Sequence, residues 1–257
     1  MSVCLLGDSN YCECGARCLF FLKSERGHSQ QSIQKTMKLP PDIATPLLVS
    51  LGAIQPIRRI EMSHREMACK SLTVGRTFVV QEGYIRIIHT ENDACNNSYD
   101  LIGSGGMFGD LPFALNKPRQ GQQAMANGST CLLEFSRTAL EKEAECNQEF
   151  NRTLMRAYGA FLGFGEQRLR WRLTNPLARR AALVLTDLLC FGAQPCPHGR
   201  GYLIPIRMTQ GEFADLLGVA RQTLNSLMKE WQRQGMVSYT RTRFCICNLE
   251  ELQKIVL

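Results

Sequence analysis

The chain has 257 residues, 44% of them hydrophobic and 21% charged, with a formal net charge of +7. That composition suits a folded globular chain of one large or two ordinary domains and excludes a disordered or collagen-like one. No stretch approaches the roughly 18 consecutive apolar residues of a membrane span, and no basic segment precedes an apolar run at the N-terminus, so a cytoplasmic protein without a membrane partner is expected.

Residues 1–36 read as a polar, cysteine-rich extension carrying Cys4, Cys12, Cys14 and Cys18. Twelve cysteines spread along a chain of this length, with no export signal, point to reduced, buried or liganding thiols rather than a disulfide framework. Residues 37–145 open with a predicted helix from Pro41 to Leu51 and continue as short β-like runs. Arg76–Gln81 alternates partly and stops near Gly83, Tyr84–His89 alternates, Gly103–Gly106 marks a turn, and Cys131–Phe135 is a final strand. Short strands at regular spacing suggest an all-β barrel or jelly roll.

A long helix is predicted over 146–173. Phe150, Leu154, Ala157, Phe161 and Phe164 are spaced 4, 3, 4, 3, a heptad seam that serves equally for a coiled-coil dimer or for packing on the helix's own domain. Arg168, Arg170, Arg172, Arg179 and Arg180 cluster where this helix ends and the next begins after Asn175-Pro176. The stretch around Gly192–Gly201, with two prolines and three glycines, reads as a loop.

The strongest local signal runs from Met208 to Leu227. Thr209 and Glu212 form a capping box that starts a helix with Phe213 and Leu217 on its apolar face. Gly218 supplies a tight turn, and Val219, Leu224 and Leu227 are expected to bury a second helix against the first. Arg221, Gln222, Thr223, Asn225 and Ser226 are left near its N-terminal, outward side, with Thr209 and Gln210 beside them. This is the pattern of a helix-turn-helix, whose second helix places its first residues at base edges in the DNA major groove. Two β-like runs then flank Thr240–Arg243, a hairpin whose Arg241 and Arg243 can meet phosphates, and Asn248 and Glu251 cap a last short helix.

Four stretches in this order, Phe78–Ile87, Gly103–Leu111, Thr130–Phe135 and Met208–Leu227, make the chain resemble the Crp/Fnr family of bacterial transcription regulators over roughly residues 39–257. The resemblance implies an α+β chain: an N-terminal β-roll of the cyclic-nucleotide-binding, jelly-roll type over 37–145, a dimerisation helix over 146–173 and a winged helix-turn-helix over 174–257. It implies a homodimer on a near-palindromic site in double-stranded DNA, with RNA polymerase as a further partner, and it moves the heptad seam toward the dimer. The family's recognition helix reads Ser/Thr-Arg-Glu-Thr; here Ala220-Arg221-Gln222-Thr223 stands in its place. Arg221 is expected on guanine, while Gln222 prefers adenine or tolerates several bases where the family's glutamate takes cytosine. Ser226 replaces a later family arginine.

Two sensing chemistries follow from the same resemblance. Gly109-Asp110 and Arg119-Gln120 stand where cyclic-nucleotide members carry Gly-Glu and Arg-Ser or Arg-Thr; the missing hydroxyl and shorter carboxylate disfavour cyclic AMP. Cys12, Cys14, Cys18 and Cys131 form a set comparable to the cysteines that hold an iron–sulfur cluster in oxygen-sensing members, although the spacing departs from theirs. Thiol-based redox sensing is a second reading of them, and a true start at Met37 a third. Cys190, Cys196 and His198 lack an obvious fourth metal ligand, Cys245 and Cys247 share a strand face suited to packing, and His28, His64 and His89 are isolated, so no catalytic constellation is found. The alternative class is a redox or small-molecule sensor acting mainly through protein contacts.

Overall fold

The computed structural model describes residues 39–69, 74–91, 95–115, 122–197 and 199–256. Helix α1 (Pro41–Leu51) leads into strands β1 (Arg58–Met62), β2 (Met67–Cys69), β3 (Arg76–Glu82), β4 (Ile85–Glu91), β5 (Cys95–Ile102), β6 (Met107–Gly109), β7 (Gln122–Ala126) and β8 (Thr130–Ser136). They pair antiparallel in two sheets, ordered β1-β8-β3-β6 and β2-β7-β4-β5. Strand β3 explains why its sequence alternates only partly: it is buried on both faces. Phe78 and Val80 enter the core between the sheets with Ile85, Ile87 and Leu132, where Phe78 stacks on Phe108 at 5.2 Å. Val79 points the other way, into a second core shared with the helices.

Helix α2 (Arg137–Cys146) stops at Asn147, whose side-chain oxygen accepts from the Glu149 and Phe150 amides at 3.1 Å and so starts α3 (Gln148–Thr174). The heptad seam expected to pair two chains lies within one chain. Phe150, Leu154 and Ala157 are buried, and Phe161 and Phe164 partly so, against a core that includes Leu47 and Leu51 of α1, Val79 and Phe135. The reason is α1: its apolar face, about 100 residues earlier in the chain, supplies the partner that a second copy was expected to supply. The opposite face of α3 leaves Met155, Leu162, Leu169 and Leu173 exposed.

The remainder comprises α4 (Leu177–Leu188), a 3-10 turn (Leu189–Phe191), β9 (Gln194–Pro195), β10 (Tyr202–Leu203), α5 (Gln210–Leu217), α6 (Arg221–Arg233), β11 (Val237–Tyr239), β12 (Phe244–Ile246) and α7 (Leu249–Val256). The stretch expected to be a loop before residue 202 instead contributes β9, which completes a sheet ordered β11-β12-β10-β9. The architecture is thus α+β, two sheets followed by long helices and a C-terminal helix-turn-helix. Among the described residues no helix is long and apolar enough to cross a membrane.

The described residues belong to one compact unit, and polar contacts join its sheets to the 3-10 turn, to Arg207 and to α5. The buried Arg86 of β4 holds the Glu212 carboxylate at 2.5 Å, with Arg65 at 3.5 Å. The Asn127 amide donates to the Arg207 carbonyl (2.7 Å) and accepts from its N–H (3.1 Å), and the Tyr84 hydroxyl donates to the Phe191 carbonyl (2.5 Å). His64, isolated in the sequence, sits here too: its Nδ1 accepts from the Gly128 amide, and burial, then Arg207 and Arg65, lower its pKa.

Burial by itself would raise the Glu212 carboxyl, but the Thr209 amide and Arg86 outweigh it and hold it below the ordinary glutamate range. A depressed carboxylate contributes stability that is complete above the ordinary range and is lost as pH falls through the folded value. Glu212→Gln keeps the cap but removes the charge facing Arg86, and should cost about 1–3 kcal/mol at pH 7. In urea unfolding the gap between variant and wild type should close toward pH 3; a gap independent of pH would show that the charge is not what matters.

Candidate nucleic-acid interface

The outward face of α6 is set by what lies beneath it. The Thr209 side chain accepts from the Glu212 amide at 3.2 Å while Glu212 accepts from the Thr209 amide at 2.6 Å, so α5 begins with both halves of the capping box in place. Gly218 ends α5 at φ +67°, a conformation that strains any residue with a β-carbon, and the Val219 amide closes the turn on the Ala214 carbonyl at 3.0 Å. Leu224, Met228 and Trp231, spaced 4 and 3, then bury one face of α6. The expected trio differs: Val219 and Leu227 are only half-buried, and Met228 and Trp231 join Leu224 on the buried stripe.

On the opposite side Arg221, Gln222, Thr223 and Ser226 are exposed and Asn225 is half-buried. The Ser226 hydroxyl donates back to the Gln222 carbonyl at 3.2 Å, which occupies its proton. Thr209 is occupied by the cap, and Gln210 opens α5 half-buried beside it. Lys229, seven residues after Gln222, is exposed on the same side; sequence reasoning missed it, although that spacing puts it on the same helical face.

The hairpin tip is closed by the Thr240 amide on the Arg243 carbonyl at 2.9 Å. Arg241 is exposed, and Arg243 is half-buried along a shallow groove beside Tyr239 and Cys245. Phe213 of α5 meets Phe244 of β12 edge-on at 5.6 Å, which packs the hairpin against the first helix. Cys245 is a buried thiol pushed up to about 12 by burial and then by a hydrogen bond with Cys196, which favours a packing role over ligation.

The residues considered for effector binding are placed differently. Gly109 has φ +93°, and a β-carbon there would meet the Arg76 carbonyl oxygen at 2.6 Å. The Asp110 carboxylate is buried; it accepts from the Gly75 amide and from Arg137, each at 2.7 Å. Arg137 in turn holds Glu141 at 2.7 Å, and the Glu141 carboxyl, which also accepts from the Phe113 amide, is held low by that amide and by Arg137. Arg119 and Gln120 lie outside the described residues. A cavity of about 230 Å³ opens instead between β5, β6 and α3, with Ile102, Met107, Leu111, Phe161, Phe164 and Arg168 in its wall.

Cys12, Cys14 and Cys18 also lie outside the described residues, as does His198. Cys131 is a buried thiol on β8 that donates to the Gln81 side-chain oxygen at 3.3 Å, and burial raises its pKa. Among the described residues no group of three or more His, Cys, Asp or Glu side chains is arranged to hold a metal ion.

Comparison with known proteins places this geometry. Residues 179–255 match the Crp-like helix-turn-helix domain. The chain is 21% identical over 196 residues to an anaerobic regulatory protein of Bacillus subtilis (strain 168), covering 76% of this chain and 81% of the relative. It is 23% identical over 180 residues to a CRP-like cAMP-activated global transcriptional regulator of Mycobacterium tuberculosis, covering 70% and 79%. In structure it is similar to a transcriptional regulator of the CRP/FNR family from Thermus thermophilus, with a TM-score of 0.64 at 18% identity over 77% of this chain and 98% of that one, a likeness of fold. The chain thus carries a Crp-like helix-turn-helix domain at its C-terminal end and is similar along most of its length to transcription regulators of the Crp/Fnr type.

Proposed function

We propose that the chain acts in the cytoplasm as a homodimer that lays two copies of α6 into successive major grooves of a near-palindromic DNA site and answers to a signal received at the β-roll. The observation that carries the reading is the outer face of α6: Arg221, Gln222 and Thr223 are exposed at its N-terminal end, ahead of the first buried position, Leu224. Arg221 reads guanine through two hydrogen bonds and Gln222 reads adenine; Asn225, Ser226 and Lys229 follow along the groove, and Arg241 and Arg243 hold phosphates. RNA polymerase is the further partner by which occupancy of the site changes transcription.

The dimer rests on the outward stripe of α3. Met155, Gly159, Leu162, Glu166, Leu169 and Leu173 are spaced 4, 3, 4, 3, 4, with Leu162 and Leu173 about three-quarters exposed (77% and 76%). Four exposed Met and Leu side chains in this row, interrupted by Gly159 and Glu166, mark an interaction surface, and a β-carbon at Gly159 or Gly163 would meet nothing within 4 Å, so a second helix can approach closely. The signal enters at the cavity between β5, β6 and α3, because Asp110 is already committed to Gly75 and Arg137.

Arg221→Ala should cost about 1–3 kcal/mol of specific binding and relax preference at one base pair per half-site, measured by competition among single-base variants of the site. A loss equal across all sequences would remove Arg221 from base reading. Arg241→Ala with Arg243→Ala should instead weaken all sequences alike and lower the slope of log K against log salt by about 2. Leu162→Glu with Leu169→Glu should give a monomer in sedimentation equilibrium; an unchanged dimer would place the interface elsewhere.

A further inference from the structure

Where α3 meets α4 and α5, three arginines converge. Arg168 and Arg172 of α3 and Arg180 of α4 line a cavity of about 200 Å³ whose other wall includes Trp171, Val184 and Leu217. Arg168 is accounted for: its two terminal nitrogens grip the two oxygens of Asp100, and the charge of the buried Asp187 also reaches it. The other two are not. Arg172 donates to the Leu216 carbonyl at 3.0 Å and Arg180 to the Arg172 carbonyl at 3.5 Å, and among the described residues neither has a carboxylate within 4 Å. Among the described residues, the one side-chain nitrogen or oxygen shut off from solvent without a hydrogen-bond partner is Nε of Arg180.

A buried donor left without an acceptor is costly, and like charges packed side by side add to that cost. Arg172 is exposed as a whole residue, yet partial desolvation of its guanidinium, and then the neighbouring Arg168 and Arg180, hold it below its ordinary range, the direction expected of a site with positive charge in excess. An anion with two or more acceptor oxygens, held on the terminal nitrogens of Arg172 and Arg180, relieves the crowding of like charge, since guanidinium groups match carboxylate and phosphate geometry; Nε of Arg180, shut off from solvent, stays beyond its reach. The apolar remainder of the wall suits a short hydrocarbon or ring attached to that head.

We propose that this joint binds a small organic anion, a carboxylate or phosphate head on an apolar body, with the head on Arg172 and Arg180 and the body against Trp171, Val184 and Leu217. The site and the cavity between β5, β6 and α3 share one wall, the Asp100–Arg168 pair, which neutralises itself. It deepens the regulatory reading, because Arg172 holds the last turn of α5 through Leu216. An anion that takes up Arg172 competes with that carbonyl and changes the seat of the helix-turn-helix. Binding itself does not depend on α6 being the recognition helix.

The test is calorimetric titration of the full chain, free of DNA, with benzoate and with phenylphosphate at constant ionic strength in chloride. One saturable event per chain is expected, weakened at least tenfold by Arg172→Met or Arg180→Met and unchanged by Arg170→Met, an exposed arginine of the same helix that pairs with Glu166 at 2.7 Å. Circular dichroism confirms that each variant is folded, and Arg180→Lys, which keeps the charge, should recover part of the phenylphosphate affinity. No saturable heat, or equal affinity in all variants, overturns the proposal. The same variants titrated with a random-sequence duplex separate a free anion from a DNA phosphate. If they lower the salt slope of DNA binding and leave both probes unaffected, the cavity serves the DNA backbone and the proposal falls, whatever the result at Arg221.

Discussion

The burial of one stripe of α3 against α1 and the β-roll decides most of what the molecule can do. Phe150, Leu154 and Ala157 are almost fully enclosed, and the two larger side chains each withdraw apolar area worth about 1.5–3 kcal/mol from water. A helix anchored along one face has its other face fixed as well. The same packing therefore turns Met155, Leu162, Leu169 and Leu173 outward and brings Arg168 and Arg172, near the helix end, over α4 and α5. A helix of 27 residues spans about 40 Å, long enough to run from the core beside α1 to α4 and α5.

What was legible in the sequence was local. The capping box at Thr209 and Glu212, the glycine turn at 218 and the cap at Asn248 each depend on residues three to nine apart, and each is found in place. The strands around Phe78, Ile85 and Leu132 carried enough β-branched and aromatic residues to be read individually. The choice of face along α3 was not legible. Both stripes recur every three or four residues, and only the position of α1, far off in sequence, tells them apart. The same holds for Asp110: a carboxylate after a glycine reads as a ligand until Arg137, 27 residues on, is seen to occupy it. Helix α6 shows the intermediate case, since its apolar period was clear but the helix phase was off by enough to favour Leu227 over Met228 and Trp231.

The polar joint between the sheets and the C-terminal segment from Phe191 to Glu212 bears on how a signal could move the DNA domain. Arg86–Glu212, Asn127–Arg207 and Tyr84–Phe191 are contacts between groups that water satisfies almost as well. Deleting one partner leaves a charge or donor stranded in a low-dielectric setting, which is the expensive outcome. Drawing the two surfaces apart hydrates both partners together, so the Coulombic loss is largely offset by recovered solvation. A joint built this way is therefore firm against a local defect and soft against a concerted opening, the property a two-state device requires. Because Glu212 also caps α5, the carboxylate that opening would expose stays bound to the Thr209 amide, and the helix-turn-helix can leave the sheets with its own first turn intact.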